Sequence, residues 1–110
     1  NSPTLNIKNS ASNQVISSKT CAVLRNYMKN VVENGTGFNA QYKSQTAGKT
    51  ATAQSGIYVD GKEKLNTWFV GFYPYDNPKY SIVVMREGGK SGAGDCCPVF
   101  RTIVEKIDNM

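Results

Sequence analysis

Lys49, Thr50 and Ala51 form a Lys-Thr-Ala run near the middle of the chain, within "AGKTATAQSG". A Lys-Thr-Gly run is one of the short motifs of a serine acyl-transfer site, together with Ser-x-x-Lys and a serine motif that ends in asparagine. Here alanine replaces the glycine, and a second threonine, Thr52, follows. Taken alone, the run is weak evidence, because three such residues also occur by chance in ordinary strands.

The other parts of such a site are not present in the sequence. No serine is followed three residues later by lysine, and no Ser-x-Asn occurs. Acyl transfer of this kind needs the serine as nucleophile and a lysine one helical turn away to accept its proton. The chain has no histidine, so it offers no alternative base for a serine or cysteine triad. We therefore expect this polypeptide alone to be catalytically inactive.

The charge of the chain favours a solvated basic surface. Thirteen Lys and Arg residues against eight Asp and Glu residues give a net charge of +5. The basic residues are spread along the chain without a dense run, and no aromatic residues alternate with them as in a base-stacking platform. We expect no nucleic-acid partner.

Length and cysteine content narrow the class of protein further. A chain of 110 residues is long enough for one domain. Cys21, Cys96 and Cys97 lack C-x-x-C spacing and cannot supply about four zinc ligands without histidine, so we expect no metal site. Adjacent cysteines bridge only with strain, so Cys96 and Cys97 are predicted to be small buried residues. The longest apolar stretch, 68–75, is too short to span a membrane.

A first helix is predicted in "SSKTCAVLRNYMKNVVENG", after a polar loop over residues 1–13. Ser17 or Ser18 is a suitable N-cap, and Gly35 is expected to end the helix in the left-handed conformation. Apolar residues recur at helical spacing and predict a stripe that lies on the core: Leu24, Tyr27, Met28, Val31 and Val32.

Three strands and a second helix are predicted after the first. The strands are "KTATAQSGIYV", "TWFVGFYPY" and "YSIVVMRE", and an Asp-Gly turn joins the first two. The middle strand is apolar at both alternating sets of positions, so both of its faces should be covered. "GGKSGAGD" is predicted to be a flexible loop, and "CCPVFRTIVEKIDNM" a closing helix with Pro98 at its first position. The fold class is therefore α+β: a helix, a three-stranded antiparallel sheet and a C-terminal helix packed on the sheet.

The sequence resembles the C-terminal part of the transpeptidase domain of class B penicillin-binding proteins, the D,D-transpeptidases that cross-link peptidoglycan. The similar segments are "VVENGTGFNAQYKSQTAGKTATAQSG", "WFVGFYPYDNPKYSIVVMREGG" and "PVFRTIVEKI", which together extend over about residues 17–107. Their order agrees with the helices and strands predicted from periodicity.

The resemblance implies roles for five residues of the first strand. Lys49 would influence the protonation of the catalytic groups through its positive charge. Thr50 and Thr52 would hold the carboxylate of the substrate or of a β-lactam, and the backbone N–H of Thr52 would be an oxyanion-hole donor. Lys49 and Thr52 are thus the candidate catalytic residues, and Thr50, Ala51, Thr52 and Gln54 the candidate substrate- or β-lactam-binding residues.

Two positions depart from the family pattern. Ala51 replaces the glycine that lets the strand backbone approach the ligand closely, so weaker β-lactam binding is expected than with glycine. Cys96 and Cys97 occupy places where relatives often have two alanines, which supports the prediction that both are small packing residues.

The resemblance also implies what the whole protein does. Residues 1–110 would be the C-terminal fragment of a transpeptidase domain whose serine nucleophile lies upstream, and a first residue of Asn1 rather than methionine suggests a piece of a longer protein. The parent would act on peptidoglycan stem peptides and bind β-lactams on the extracytoplasmic face of the cell membrane, anchored by an N-terminal helix. No metal or organic cofactor is implied.

Other interpretations remain open from the sequence. A serine β-lactamase or a β-lactam sensor also contains a Lys-Thr-Gly strand, although the Gly-Thr-Gly turn and the Pro-Val-Phe helix favour a transpeptidase. A non-catalytic basic module that binds anionic cell-wall polymers belongs to a different class, and its binding would depend strongly on salt.

A fragment would also expose a sheet edge and helix faces that the upstream part of the domain would cover, so self-association is expected.

Overall fold

A computed structural model describes residues 13–110, and nearly all of the predicted N-terminal loop lies outside this range. The elements follow the predicted order of a helix, three strands and a closing helix, with two short additions. They are α1 (Ser18–Asn34), a 3-10 helix (Phe38–Ala40), β1 (Ala47–Val59), β2 (Lys62–Tyr73), β3 (Tyr80–Gly89), α2 (Gly92–Asp95) and α3 (Cys97–Asp108). The α+β prediction is confirmed.

The ends of α1 lie where the sequence predicts them, but the C-terminal end forms for a different reason. The Ser17 hydroxyl accepts a 3.1 Å hydrogen bond from the Thr20 N–H, which is an N-cap. Gly35 has a φ of −133°, so the expected left-handed glycine is wrong. Glycine suits this position because a Cβ there would lie 3.0 Å from the Val31 carbonyl oxygen, which accepts the Gly35 N–H.

The apolar stripe of α1 is only partly buried. Val32 is 1% exposed and belongs to the core, whereas Leu24 and Tyr27 are 46% and 63% exposed. The prediction that the whole stripe lies on a core is therefore wrong for its first half. The core reaches only the C-terminal part of α1, so the earlier apolar residues face solvent in this structure.

The three strands form an antiparallel sheet in the order β1-β2-β3, as predicted. Asp60 and Gly61 both have positive φ values, of 53° and 76°, which suits the tight turn between β1 and β2. β2 begins earlier than predicted, at Lys62, and ends at Tyr73 rather than continuing to Tyr75. Pro74 stops the strand because it has no N–H to donate.

Only one face of β2 is fully covered. Thr67, Phe69, Gly71 and Tyr73 are buried on that face, whereas Val70 on the opposite face is 43% exposed. Nearby β3 residues on the same open face are also exposed: Val83 at 58% and Met85 at 44%. The prediction that both faces are covered is confirmed for one face and wrong for the other.

Helix α3 covers the buried face. Phe100 meets the Phe69 ring edge to face at 4.7 Å between ring centroids, and both side chains are fully buried. Cys96 and Cys97 are also fully buried, which confirms the prediction for both residues. Burial raises the pKa of Cys97 to about 11, with a smaller contribution from Cys96. Pro98 is the second residue of the helix rather than the first.

The segment predicted as a flexible loop contains the short helix α2. The Asp95 carboxylate accepts hydrogen bonds from the backbone N–H groups of Lys90 at 2.6 Å and Ser91 at 2.9 Å. The Ser91 hydroxyl accepts the Gly94 N–H at 3.0 Å and so caps the helix. These side-chain acceptors hold the backbone in place despite the high glycine content, so the loop prediction is wrong. None of the helices within residues 13–110 has the length and apolar character needed to cross a membrane.

Candidate functional site

The five candidate residues lie together on β1, at one edge of the sheet. β1 pairs with β2 on one side, and no other described strand pairs with it on the other side. An edge strand presents backbone N–H and C=O groups that can bind an extended ligand. Within residues 13–110, no three His, Cys, Asp or Glu side chains form a group that would hold a metal ion.

Strand alternation divides the five side chains between the two faces of the sheet. Thr50 pairs with buried Phe69 across the strands, and Thr52 pairs with buried Thr67. Lys49 belongs to the opposite, open face, because successive residues of a strand point to opposite sides. The Lys49 ammonium group donates a 2.9 Å hydrogen bond to the carbonyl oxygen of the next residue, Thr50. The side chain of Lys49 and those of the two threonines therefore lie on opposite faces of the sheet, and Lys49 bonds to the backbone of Thr50.

The hydroxyl of Thr50 is paired with that of Thr36. The two Oγ1 atoms are 2.8 Å apart, and either can be the donor. Thr36 lies in the Gly-Thr-Gly turn between α1 and the 3-10 helix, fourteen residues before Thr50. The turn is part of the family resemblance, but no role in the site was predicted for Thr36 from the sequence. No periodicity could have found it, because the contact depends on how α1 and β1 pack.

Helix α2 approaches the same strand at Ala51. A Cβ added to Gly92 would lie 3.1 Å from the carbonyl oxygen of Ala51, 3.2 Å from its backbone nitrogen, and closer still to the Trp68 carbonyl oxygen. Glycine at position 92 thus lets α2 pack directly on the backbones of β1 and β2. The predicted flexible loop is instead a fixed neighbour of the candidate site.

Asp95 holds α2 in this position. The hydrogen bonds from Ser91 and Lys90 keep the pKa of its carboxyl below the usual range, and Arg86 lowers it further from 3.4 Å. The Thr67 hydroxyl, 3.4 Å from the same carboxylate, links it to the strand residue paired with Thr52. No role in the site was predicted for Asp95 from the sequence.

Thr52 and Gln54 are exposed, and neither side chain hydrogen-bonds to another residue of the described part of the chain. Ala51 is exposed as well. The strand from Ala51 to Gln54 is thus accessible to a ligand. The roles implied for Lys49, for Thr52 and for the binding residues stay predictions, because exposure alone assigns no chemistry.

The chain matches a known protein family over most of its length. The family described as "Penicillin binding protein transpeptidase domain" matches residues 6–105 of the chain. The chain belongs to this family. The resemblance to penicillin-binding proteins stated from the sequence is confirmed, and membership does not favour a basic polymer-binding module.

Two curated relatives of this chain are named as peptidoglycan D,D-transpeptidases. "Peptidoglycan D,D-transpeptidase FtsI" of Buchnera aphidicola is 36% identical over 93% of this chain and 19% of that protein. "Peptidoglycan D,D-transpeptidase MrdA" of Haemophilus influenzae is 34% identical over 71% of this chain and 14% of that protein. The chain therefore spans less than a fifth of the length of these relatives.

A solved structure contains the same fold as this chain. The D,D-transpeptidase domain of a peptidoglycan glycosyltransferase from Eggerthella lenta superposes with a TM-score of 0.76 at 25% sequence identity. The match covers 96% of this chain and 24% of that one. The α+β arrangement of helix, three-stranded sheet and closing helix thus corresponds to about a quarter of that larger structure.

Proposed function

We propose that this chain is the C-terminal part of a D,D-transpeptidase domain that cross-links peptidoglycan stem peptides through an acyl-serine intermediate. The family match over residues 6–105 carries the proposal, because it includes the whole of the candidate strand on β1. The sequence lacks Ser-x-x-Lys and Ser-x-Asn, so the nucleophile comes from the upstream part of the same domain. The parent protein acts on the extracytoplasmic face of the cell membrane, anchored by an N-terminal helix.

The residues of β1 have distinct roles in this proposal. Lys49 supplies a positive charge that favours the reactive protonation state of the serine and its base. Thr50 and Thr52 bind the carboxylate of the stem peptide or of a β-lactam through their hydroxyls, and Gln54 and Ala51 extend the binding strand. The Thr52 backbone N–H stabilises the oxyanion of the tetrahedral intermediate, an interaction that is worth on the order of 3 kcal/mol in other acyl-transfer enzymes.

The open face of the sheet supports the presence of an upstream partner segment. Val70, Val83 and Met85 expose apolar surface on the same face of the sheet as Lys49. Contiguous exposed apolar residues are costly unless another segment covers them. The upstream part of the domain would cover these residues and bring the serine to the edge of β1. Without that part, the same face favours self-association of the fragment.

The test uses the full protein that contains this chain and a fluorescent penicillin. We expect covalent labelling of a serine that is followed three residues later by lysine and lies before residue 1 of this chain. Lys49→Ala should lower the labelling rate at least tenfold, since loss of one group that stabilises developing charge costs about 10²–10³ in other enzymes. Lys106→Ala is the matched control, because Lys106 is also an exposed lysine but lies on α3.

Three outcomes would contradict the proposal. One is a full protein that no β-lactam labels at any serine. Another is labelling of the 110-residue chain alone, because the proposal assigns it no nucleophile. A reading frame that starts directly at residue 1, with no upstream Ser-x-x-Lys, would also exclude it.

A further inference from the structure

Thr36 is held against β1 by a turn that depends on two glycines. The Gly35 and Gly37 N–H groups both donate to the Val31 carbonyl oxygen, at 3.1 and 3.0 Å, which fixes the turn to the end of α1. Gly37 is buried, and a Cβ there would lie 3.2 Å from Val31 Cγ1 and 3.3 Å from Phe69 Cε1. The backbone on either side of Thr36 is therefore closely packed and leaves it little freedom to move.

The same packing brings Thr36 to Thr50. Phe69, on which Gly37 packs, is the cross-strand partner of Thr50. The Thr36 hydroxyl consequently lies 2.8 Å from the Thr50 hydroxyl. Thr50 is half-buried, whereas Thr36 is exposed. The pair thus forms a chain of two hydroxyl groups that begins at the turn and ends on the candidate strand.

We propose that Thr36 is a positioning residue for Thr50: its hydroxyl donates to Thr50 Oγ1 and leaves the Thr50 proton free for the carboxylate of the acyl donor. This inference rests on the proposed function. A hydroxyl has one proton to donate and can accept two hydrogen bonds, so Thr50 can accept from Thr36 while it donates to a ligand.

Two physical effects favour this direction of donation. A hydrogen bond to a carboxylate is shorter and about twice as strong as one between neutral groups. The Thr50 hydroxyl therefore donates its hydrogen bond to the bound ligand rather than to Thr36. Donation by Thr36 then polarises the Thr50 hydroxyl and strengthens its hydrogen bond to the ligand. The β-branched Thr50 side chain has few rotamers, and the contact with Thr36 selects one of them.

The experiment measures acylation of the full protein by a penicillin and by the methyl ester of that penicillin. Thr36→Val keeps the shape of the side chain and removes the hydroxyl, and we expect acylation by the penicillin to slow about fivefold. Thr36→Ser should restore the rate to within about twofold. Thr102→Val is the matched control, because within residues 13–110 its hydroxyl bonds only to the Pro98 carbonyl oxygen of the same helix.

The ester and a double variant separate positioning from a structural role. The ester has no carboxylate, so Thr36→Val should not slow its reaction. In a Thr50→Val background, Thr36→Val should have no further effect on the penicillin. Thr36→Ala serves as a second hydroxyl-free variant, and the melting temperature of each variant is measured alongside.

Equal slowing with penicillin and ester would overturn the inference, as would an undiminished effect of Thr36→Val in the Thr50→Val background. Full activity of Thr36→Val in a protein that the penicillin acylates would overturn it while the proposed function stands. If the wild-type full protein reacts with neither compound, the proposed function fails, and the inference fails with it.

Discussion

The carboxylate of Asp108, the last residue of α3, accepts a 2.6 Å hydrogen bond from the hydroxyl of Tyr73, the last residue of β2. The other carboxylate oxygen accepts from Lys43 at 2.7 Å and from Tyr42 at 3.1 Å. An acidic residue at the C-terminal end of a helix is normally unfavourable, because it meets the negative end of the helix dipole. These three donors compensate and hold the end of α3 to the end of β2 and to the segment that leads into β1.

Asp108 is expected to make stability depend on acid pH. The hydrogen bonds from Lys43, Tyr73 and Tyr42 lower the pKa of Asp108 to about 2, below its value in the unfolded chain. A depressed folded-state pKa stabilises the fold fully above the unfolded pKa, and this stabilisation is lost as the pH falls through about 4 towards 2. Asp108→Asn should therefore lower the melting temperature at pH 6, and the difference from wild type should shrink towards pH 2.

The control for this pH dependence is Asp76→Asn, because Asp76 lies in an exposed loop and accepts from Gln45 rather than from a cation. A difference between wild type and Asp108→Asn that stayed constant from pH 6 to pH 2 would contradict the assignment. Thermal unfolding followed by circular dichroism gives the comparison.

Phe100 is expected to be the most costly core position on α3. Its fully buried ring packs edge to face on Phe69, so Phe100→Ala removes both the buried area and the aromatic contact. The free energy of unfolding should fall by about 3–5 kcal/mol, as in other cores. Urea denaturation measures it, with Val99→Ala as control because Val99 is 45% exposed on the same helix. Equal losses for the two variants would mean that Phe100 is not a core residue.

Gly48, directly before Lys49, is expected to tolerate no side chain. An added Cβ would overlap the Phe69 ring and lie 2.6 Å from the Val70 carbonyl oxygen, so Gly48→Ala must displace β1 or the core. We expect a loss of about 1–3 kcal/mol in the free energy of unfolding. Gly94→Ala on α2 is the control, because its Cβ would meet only Ser91 Oγ, at 3.2 Å. A neutral Gly48→Ala would show that β1 can shift at no cost.

Ala51→Gly is expected to have opposite effects on stability and on reactivity. Ala51 is exposed on β1, and glycine there should cost roughly 0.5–1 kcal/mol because it gives the unfolded chain more freedom. In the full protein, the same change should speed acylation by β-lactams, since the ligand can approach the strand more closely. Stopped-flow acylation and urea denaturation test the two effects separately. An Ala51→Gly protein that acylates no faster would show that the methyl group does not hinder the ligand.

Local chemistry made much of the fold predictable. The Ser17 cap, the Asp60-Gly61 turn and the helical spacing of Phe100 and Val104 depend on near neighbours in sequence, so the element order followed from them. The run from Lys49 to Gln54 was recognisable as a candidate strand for the same reason. The short helix α2 was not predicted. It depends on the Asp95 carboxylate, which lies at the end of the glycine-rich segment and accepts hydrogen bonds from the backbone before it.

The sequence by itself determined the α+β class, the burial of Cys96 and Cys97, and the strand that holds the candidate residues, since each depends on short-range pattern and residue size. Only the tertiary structure decided which face of the apolar strand β2 is covered. The sequence pattern shows that both faces are apolar, but it does not show which segment packs on each. The tertiary structure also decided that Thr36 meets Thr50 and that Gly92 packs on Ala51. These contacts join residues that are far apart in the chain, and only the packing of α1 and α2 on β1 brings them together.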